Sequence, residues 1–470
     1  MAKNYRLFIN DNEVLLEKAN VSKYPFNRGW PGHQRTFDQT EEMYFYSMSI
    51  DKPIKVKVLA DFSYKEVVIR PYSKGIKFNN IEGGIEFTIS KPVYCSVEFD
   101  DEHNPLCLFF DKVKEYNIDK NDKNVIYFEK GEHHVGLITP KKGQTIYIEE
   151  GATVYGRIEA TDTDDIKILG RGILDNSEEK ETILFDVKEV DCTRYLFNMV
   201  RYDAIRLRHC NNVEIDGITI RDSLCFYICF FSSKNITIKD VKIVGSWRYN
   251  ADGIDLFNCQ DALIENCFIR TFDDCISIKG FESNGHPDPE GPHLETTENI
   301  VIKDCVLWCD WNNVMCFGAE TRSKKMFNVK FSNIDVIHLI GPVFDIYNCD
   351  YAEVCDVLLE DIRVEYDKGG YQSEFQKTDD DVYTKANERK YQMKLVLSTI
   401  SPHRNYTDAN DLRRGKIHDI HFKGIKVLAK EPFELMLSGL SEEYGIKDYY
   451  FEDVYLNGEK IENKDQLILT

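Results

Sequence analysis

The feature that most constrains the fold is a short apolar alternation that repeats through the second part of the chain. Stretches with the pattern x-apolar-x-apolar-x-(Asn/Asp/Gly)-apolar-x-apolar begin at Asn212, Asn235 and Asn299. Further copies begin at Phe327, Glu353, Ile417 and Ile446, at a spacing of roughly 23–30 residues where no insertion intervenes. Because a strand points successive side chains to opposite faces, each copy predicts two short strands that flank a polar corner.

One such coil cannot bury its apolar side alone, but stacked coils bury it continuously. A repeat of this length that contains strands and no helical segments predicts a parallel β-helix. Leucine-rich repeats have a similar period, but their leucine spacing is absent here. We therefore expect the Cys, Ile and Val residues at equivalent positions to form interior stacks.

The first part of the chain carries a different β pattern. Alternating segments at Ile54–Val58, Glu66–Arg70 and Ile85–Ile89 are separated by turns that contain Gly, Asn and Ser, as in a small β-sandwich. We expect a β-sandwich-like domain over residues 1–130 and a β-helix catalytic domain over residues 131–470. Two stretches interrupt the repeat, at residues 281–297 and 367–414, and long loops on a regular scaffold often carry function.

Charge and cysteine usage limit the partners and the compartment. The net charge of −21 argues against nucleic-acid and anionic-membrane partners, which would favour a basic face. The N-terminus lacks the apolar core of a signal peptide, and no apolar run is long enough to span a bilayer. The 14 cysteines form no zinc pattern and no compact disulfide framework. We expect reduced, mostly buried thiols in a cytoplasmic protein.

A constellation of carboxylates lies in two adjacent coils. Asp252 precedes the pair Asp273–Asp274 by 21 residues, close to one coil, and stacked coils lie about 4.8 Å apart. The three carboxylates can therefore meet, and their repulsion would raise at least one pKa and place an acid beside a base. Such a pair is what glycoside hydrolysis requires.

Two structural alternatives exist for these aspartates. Asp and Asn are common at coil corners, where they satisfy turn backbone, and Asp216, Asp240 and Asp304 are interpreted as residues of that kind. Clustered carboxylates can also hold calcium. The adjacent pair in phase with Asp252 favours catalysis over both alternatives.

The same residues carry a family resemblance. Asn250-Ala251-Asp252-Gly253 resembles the Asn-Thr-Asp-Gly motif of the polygalacturonase family, and Asp273–Ile278 resembles its Gly-Asp-Asp-Cys-x-Ser/Ala-Ile motif. Ile168–Asp175 is similar to the family's early Gly-x-Gly-x-Ile-Asp segment, and the resemblance spans about Thr145 to Leu456.

This resemblance implies a right-handed parallel β-helix and inverting hydrolysis of a glycosidic bond. It also implies that Asp273 is the general acid and that Asp252 and Asp274 hold the attacking water. We expect no cofactor and no metal.

The sequence departs from the family where the substrate is recognised. The coil of the family's Gly-His-Gly motif is here Asn313–Arg322, which has Glu320 and no histidine, and the Arg-Ile-Lys motif aligns with Phe344-Asp345-Ile346. Because Asp345 would repel a uronate, we expect a neutral sugar at the cleaved position, as in the related dextranases and isopullulanases. The alternative is a polygalacturonase or rhamnogalacturonan-type hydrolase in which Lys279, Arg322 or Arg404 replaces the missing cation.

Several other residues near the motifs could contact sugar. Aromatic side chains beside the carboxylates could stack on sugar rings, although ordinary packing is the alternative, and charged side chains could bond hydroxyls. The predicted substrate-binding residues are Asn250, Trp247, Tyr249, Lys279, Glu320, Arg322 and Trp311.

Two rival functions remain open. A non-catalytic carbohydrate-binding β-helix would explain the lost histidine and Arg-Ile-Lys motif, but not the three retained aspartates. A polysaccharide lyase would require a basic proton acceptor or a bound cation in a site that is here acidic. The predicted partner is an oligosaccharide, attacked from its end if the 367–414 insertion closes the cleft. The oligomeric state is left open.

Overall fold

The computed structural model describes residues 3–23, 27–28, 37–179, 203–280, 294–367, 371–373, 375–376, 388–390, 394–401, 413–430 and 433–462. The chain divides into two units, one of Met1–Lys23 with Thr36–Asn117 and one of Tyr24–Arg35 with Ile118–Thr470. The helices of the described part are two 3₁₀ turns, Phe37–Gln39 and Tyr72–Lys74. None of the helices described is therefore long and apolar enough to cross a membrane.

The first unit is a β-sandwich of two five-stranded sheets. One sheet has the order Asn12–Val14, Tyr5–Ile9, Ile54–Ala60, Gly84–Ile89 and Phe78–Ile81, and the other has the order Glu17–Ser22, Thr40–Ile50, Leu106–Lys112, Val93–Phe99 and Val67–Arg70. Val56 and Val58 from the first sheet share one core with Val97 and Leu108 from the second. Alternation in these strands thus buries one face of each sheet against the other.

The second unit is a right-handed parallel β-helix, as predicted. Its strands pair in parallel from coil to coil and form three stacks, named here sheets A, B and C. Sheet A contains Ile205–Arg208, Ile228–Phe231, Ile254–Phe257, Ile276–Gly280, Met315–Thr321, Phe344–Asn348, Lys394–Ile400 and Glu434–Ser438. Sheet B contains Val125–Phe128, Thr145–Ile148, Lys167–Gly170, Asn211–Asp216, Lys234–Lys239, Gln260–Glu265, Thr296–Lys303, Lys416–Ile417, Ile420–Lys423 and Tyr449–Glu452. Sheet C contains Gly131–Ile138, Ile173–Asp175, Thr219–Arg221, Lys242–Val244, Phe268–Thr271, Val306–Cys309, Lys426–Ala429 and Tyr455–Leu456.

Three long strands bend from one sheet into the next. Ala152–Thr161 runs from sheet C into sheet A, and Lys325–His338 and Glu353–Tyr366 run from sheet B into sheet C. The remaining short strands form two-stranded pairs: Glu459–Lys460 with Tyr455–Leu456, Tyr371–Ser373 with Glu388–Lys390, and, from distant parts of the chain, Asn27–Arg28 with Phe375–Gln376.

The polar corners of the repeat have left-handed backbone. Asp240 and Asp304 have φ of 53° and 59°, a conformation that Asn, Asp and Gly tolerate better than other residues. In the coil of Asp216 the corner is Gly217, with φ of 88°, so the glycine and not the aspartate makes that turn. The corner prediction therefore holds for Asp240 and Asp304.

The interior of the β-helix is a continuous apolar stack. Ile, Val, Leu and Cys side chains from all three sheets form one buried cluster, and the 13 described cysteines are all buried and form no disulfide with one another. The predicted boundary at residue 130 falls just after Val125–Phe128, which already pairs with the next coil at Thr145–Ile148. The predicted insertions, 281–297 and 367–414, lie largely outside the described residues, as do Arg404 and its surroundings.

Candidate active site

Three aspartates meet at the turn from sheet C to sheet A in successive coils. Asp252 lies before Ile254–Phe257, and Asp273 and Asp274 lie before Ile276–Gly280. One carboxylate oxygen from each residue lies within 4.8 Å of the other two. The residues are only 2%, 6% and 5% exposed. The spacing of one coil thus brings the predicted catalytic residues together.

A glycine allows the two coils to approach here. The Gly253 N–H donates to the Asp274 carbonyl at 2.8 Å, and a Cβ on Gly253 would lie 2.4 Å from the Cys275 carbonyl oxygen. Any larger residue would push the coils apart at the point where Asp252 meets Asp274.

Asp273 and Asp274 are held by donors from neighbouring turns. Asp273 accepts hydrogen bonds from the Asn250 backbone at 3.1 Å and the Asn312 Nδ2 at 2.7 Å. Asp274 accepts from Asn313 twice, at 3.0 and 2.9 Å, and from Ser277 Oγ and Cys316 Sγ at 3.1 and 3.2 Å. The next coil, at Asn312 and Asn313, therefore fixes both carboxylates.

Asp252 is held by a buried lysine instead. Lys279 Nζ lies 2.8 Å from Asp252 Oδ2, 3.4 Å from Asp255 Oδ1 and 3.9 Å from Glu320 Oε2. Lys279 is 4% exposed, and its ammonium also lies over the rings of Phe226 and Phe257. The other oxygen of Asp252, Oδ1, has no hydrogen-bond partner within the described part of the chain.

The aspartates have raised affinity for protons. Burial, with the neighbouring Asp273 charge, raises the pKa of Asp252 to about 7 against the opposing effect of Lys279. Burial raises the pKa of Asp273 and of Asp274 to about 6 each; the next cause is the Asp274 charge at Asp273 and the Asp252 charge at Asp274. Such a cluster holds a protonated carboxyl beside carboxylates near neutral pH.

The predicted aromatic residues form one group beside Asp273. The Trp311 ring stacks on Phe272 with centroids 5.2 Å apart, and Tyr249 meets both rings edge-on. Tyr249 is buried, whereas Trp311 is half-buried. Trp247 is buried with the Arg248 guanidinium 4.1 Å from its ring. Trp311 is thus the member of this group best placed for a sugar ring.

Arg322 follows the strand Met315–Thr321, one coil after Lys279. Its backbone N–H donates to the Gly280 carbonyl, and its guanidinium lies 5.8 Å from the centroid of the Tyr351 ring. The guanidinium of Arg413 lies 3.9 Å from the centroid of the same ring. Glu320 is buried and faces Lys279. Of the three predicted charged residues, Lys279 therefore contacts Asp252 directly, Glu320 lies beside Lys279, and Arg322 lies against Tyr351.

Several site residues were not predicted. Strand register places Asp255, Ser277 and Cys316, which the sequence did not single out, in one row of sheet A with Asp345, which it did. Asp345 is 6% exposed, and burial with the nearby Asp274 charge raises its pKa well above its ordinary value. Counting alternate residues from Asp252 could not have predicted that these side chains share one face of sheet A. The turn at Gly253 interrupts the alternation of side chains between the two faces.

Two clusters of the described residues have ligand types that metals use. In the first, one oxygen from each of the three aspartates lies within 4.8 Å of the others, and the Lys279 ammonium lies 2.8 Å from Asp252. The second cluster is Glu353, Cys355 and His418, where Lys325 Nζ lies 3.1 Å from Glu353. In both clusters a lysine ammonium therefore already pairs with one of the carboxylates.

The fold is a right-handed parallel β-helix, and its aspartate cluster is formed by the two motifs that resemble those of the polygalacturonase family. Residues 144–344 match the family model described as Glycosyl hydrolases family 28. The resemblance predicted from the two aspartate motifs is thereby confirmed, and the predicted enzyme class is that of the matched family.

Individual relatives agree with the family match. A probable polygalacturonase from Arabidopsis thaliana is 36% identical over 159 residues, which cover 30% of this chain and 35% of the relative. An exopolygalacturonase from Zea mays is 28% identical over 258 residues, which cover 47% of this chain and 61% of the relative. The chain spans about 35–43% of the length of the first curated relatives it matches.

A solved structure supports the fold over nearly the whole chain. Dex49A from Penicillium minioluteum aligns with a TM-score of 0.60 and 14% identity, covering 97% of this chain and 89% of that one. This likeness concerns architecture alone.

Proposed function

We propose that this protein is an O-glycosidase that cleaves an oligosaccharide at the cluster of Asp252, Asp273 and Asp274. The observation that carries the proposal is the meeting of the three carboxylates within 4.8 Å. In the proposed reaction Asp273 protonates the leaving oxygen, while Asp252 and Asp274 bind and activate one water. The match of residues 144–344 to a glycosyl hydrolase family supports the same chemistry.

The hydrogen bonds support different roles for the two adjacent aspartates. Asp274 accepts from Asn313, Ser277 and Cys316, and donors to a carboxylate favour its charged form. Asp252 is paired with the Lys279 ammonium, which also favours the charged form. Burial nevertheless raises the pKa of Asp252 to about 7, above the value of about 6 for Asp273, so the assignment of the acid role to Asp273 follows the family resemblance.

The spacing also fits a bridging water. Two hydrogen bonds of about 2.8 Å can join oxygens up to about 5.6 Å apart, and the cluster lies within 4.8 Å. This separation is shorter than the usual 6.5–9.5 Å of inverting pairs and nearer the roughly 5–5.5 Å of retaining pairs. Our proposal of inversion therefore depends on two carboxylates sharing one water, and not on a wide gap between acid and base.

We further propose that the sugar at the cleaved position is neutral. Asp345 is buried and close enough to Asp274 to raise its own pKa, and its Oδ1 has no hydrogen-bond partner within the described part of the chain. Lys279 is already paired with two carboxylates. A uronate here would add an anion to an acidic site, which is costly without a cation.

A uronate-cleaving enzyme is the second candidate. The curated relatives are named polygalacturonases and exopolygalacturonases. Arg322 and Arg413, both against Tyr351, are the cations that would serve such a substrate. The names of the exopolygalacturonases also agree with the proposal of exo attack, which would release single sugars before any intermediate oligomers.

The two candidates can be separated with matched substrates. We predict that an oligogalacturonide is cleaved more slowly than its carboxyl-reduced counterpart or than neutral α-glucan oligosaccharides, as measured by new reducing ends. Asp345→Asn should reduce this difference in rate, because it removes a buried carboxyl group that repels a uronate whenever it is ionised. Faster cleavage of the oligogalacturonide than of every neutral substrate, with loss of that rate in Arg322→Met, would instead establish the second candidate. Unsaturated products would indicate a lyase, and binding without cleavage would indicate a carbohydrate-binding protein.

A further inference from the structure

Lys279 occupies an unusual position for a lysine beside a substrate site. It pairs in register with Phe257 in the preceding coil of sheet A, and it is almost completely buried. Its ammonium lies 2.8 Å from Asp252 and 3.4 Å from Asp255, and the rings of Phe226 and Phe257 lie within 5.4 Å of it. The side chain is therefore fixed among carboxylates and aromatic faces.

A buried ammonium is costly unless carboxylates compensate for it. Burial lowers the pKa of Lys279, but Asp252, Asp255, Glu320 and Asp274 together outweigh burial and raise it well above its ordinary value. The lysine is therefore charged throughout the working pH range. Its closest contact is Asp252, whereas the side-chain oxygens of Asp273 are held by Asn250, Asn312 and the Asp274 backbone.

We propose, on the basis of the function proposed above, that Lys279 is a positioning residue that holds Asp252 and favours its charged form, so that Asp252 can serve as the water-binding carboxylate beside the acid Asp273. Asp255 contacts the same ammonium at 3.4 Å and competes with Asp252 for it. In this role the lysine does not need to touch the sugar.

Other charged and titratable groups face this lysine and its partner. Glu320 approaches from the next coil, Asp273 and Asp274 share the cluster, and Cys229 pairs in register with Asp255 one coil before it, near the ion pair of Arg206 and Asp203. The charges of Glu320, Asp273 and Asp274 raise the pKa of Asp252 or of Asp255. Lys279 is the only cation within 4 Å of Asp252 among the residues that the structure describes.

The first test is the pH dependence of kcat/KM. In Lys279→Met, Asp252 loses its cation, so its pKa rises and the carboxylate forms only at higher pH. The acidic limb of the profile should therefore move to a pH higher by roughly 1–3. In Asp255→Asn, Asp252 no longer shares the cation, and the limb should move to lower pH. Lys330→Met, which removes only the surface ion pair with Glu360, is the matched control and should leave the limb in place.

Lys279→Met leaves buried carboxylates without a cation and could fail to fold. The double variant Lys279→Met/Asp255→Asn keeps the buried net charge unchanged, and its acidic limb should lie above that of Asp255→Asn. If Lys279 had only a structural role, its replacement would lower kcat/KM at every pH without moving the acidic limb. That result, found both for Lys279→Met against wild type and for the double variant against Asp255→Asn, would overturn the proposal.

The second test does not depend on activity. Infrared spectroscopy at neutral pH detects protonated carboxyl groups by their C=O stretch. The double variant should show more of this absorption than Asp255→Asn, and the added part should disappear when Asp252→Asn is introduced as well. Absence of an Asp252-dependent band would overturn the proposal. If the wild-type protein cleaves no glycoside, the proposed function fails, and the infrared result still decides the role of Lys279.

Discussion

Asp273 is the residue on which the proposed chemistry depends most directly. We predict that Asp273→Asn lowers kcat by roughly 10²–10⁴ for a substrate with a poor leaving group, because it removes the proton donor. Asp252→Asn and Asp274→Asn should also be severe, because both are proposed to hold the water. Steady-state kinetics on the best oligosaccharide substrate checks this prediction.

The matched control for these variants is a corner aspartate. Asp304 has left-handed backbone at a coil corner, and Asn333 takes the same conformation one coil later. We therefore expect the Asp304→Asn variant to fold and to cleave the substrate with the kcat of the wild-type protein. Near-normal rates in all three site variants would mean that these aspartates are structural and that the mechanism is wrong.

The sequence revealed the cluster but not its hydrogen-bond partners. The separation of Asp252 from Asp273 equals about one coil, so stacking alone predicts that they meet. Asn312 and Asn313 belong to the coil after an interruption of the repeat, and no fixed spacing connects them to the aspartates. Lys279 was predicted to contact substrate, whereas its nearest charged partner is Asp252, a pairing that depends on strand register.

At the scale of the element, the coil corners determine how the strands stack. Asn299 has φ of 59°, donates to Asp261 at 2.8 Å and accepts from Asn328 at 2.6 Å. The repeated Asn and Asp positions in the sequence therefore encode both a backbone conformation and a side-chain ladder. This double role explains why the repeat was visible without any knowledge of the fold.

The two contributions can be separated at Asn299. We predict that Asn299→Ala destabilises the protein by about 1–2 kcal/mol more than Asn299→Gly, because alanine alone is strained in left-handed backbone. Both variants lose the side-chain hydrogen bonds with Asp261 and Asn328. The stability of the glycine variant therefore measures the loss of these bonds without backbone strain. Urea unfolding checks the order of stability. An alanine variant as stable as the glycine variant would contradict the role of the corner.

Insertions are the elements that sequence pattern could not resolve. The repeat predicts where the coils stop and resume around residues 281–297 and 367–414, but polar segments without periodicity carry no structural signal of their own. The prediction that the second insertion favours exo attack therefore depends on product analysis, as proposed above.

At the scale of the whole molecule, the β-helix converts sequence distance into spatial proximity. Asp252, Lys279 and Cys316 lie far apart along the chain, yet parallel stacking brings them to one site. The fold class was predictable because every coil repeats the same apolar alternation. The substrate was less predictable, because Asp345 favours a neutral sugar whereas Arg322 favours a uronate. Which of the two residues determines specificity depends on their contacts with a bound sugar.

The most direct test of the central claim is a proton NMR time course of the wild-type protein with its best oligosaccharide substrate. We predict hydrolysis in which the first reducing end formed has the anomeric configuration opposite to that of the cleaved bond, because water held by Asp252 and Asp274 attacks in a single displacement. A first product of retained configuration would instead require a covalent intermediate and would contradict the assigned roles, and the absence of any new reducing end would contradict the function itself.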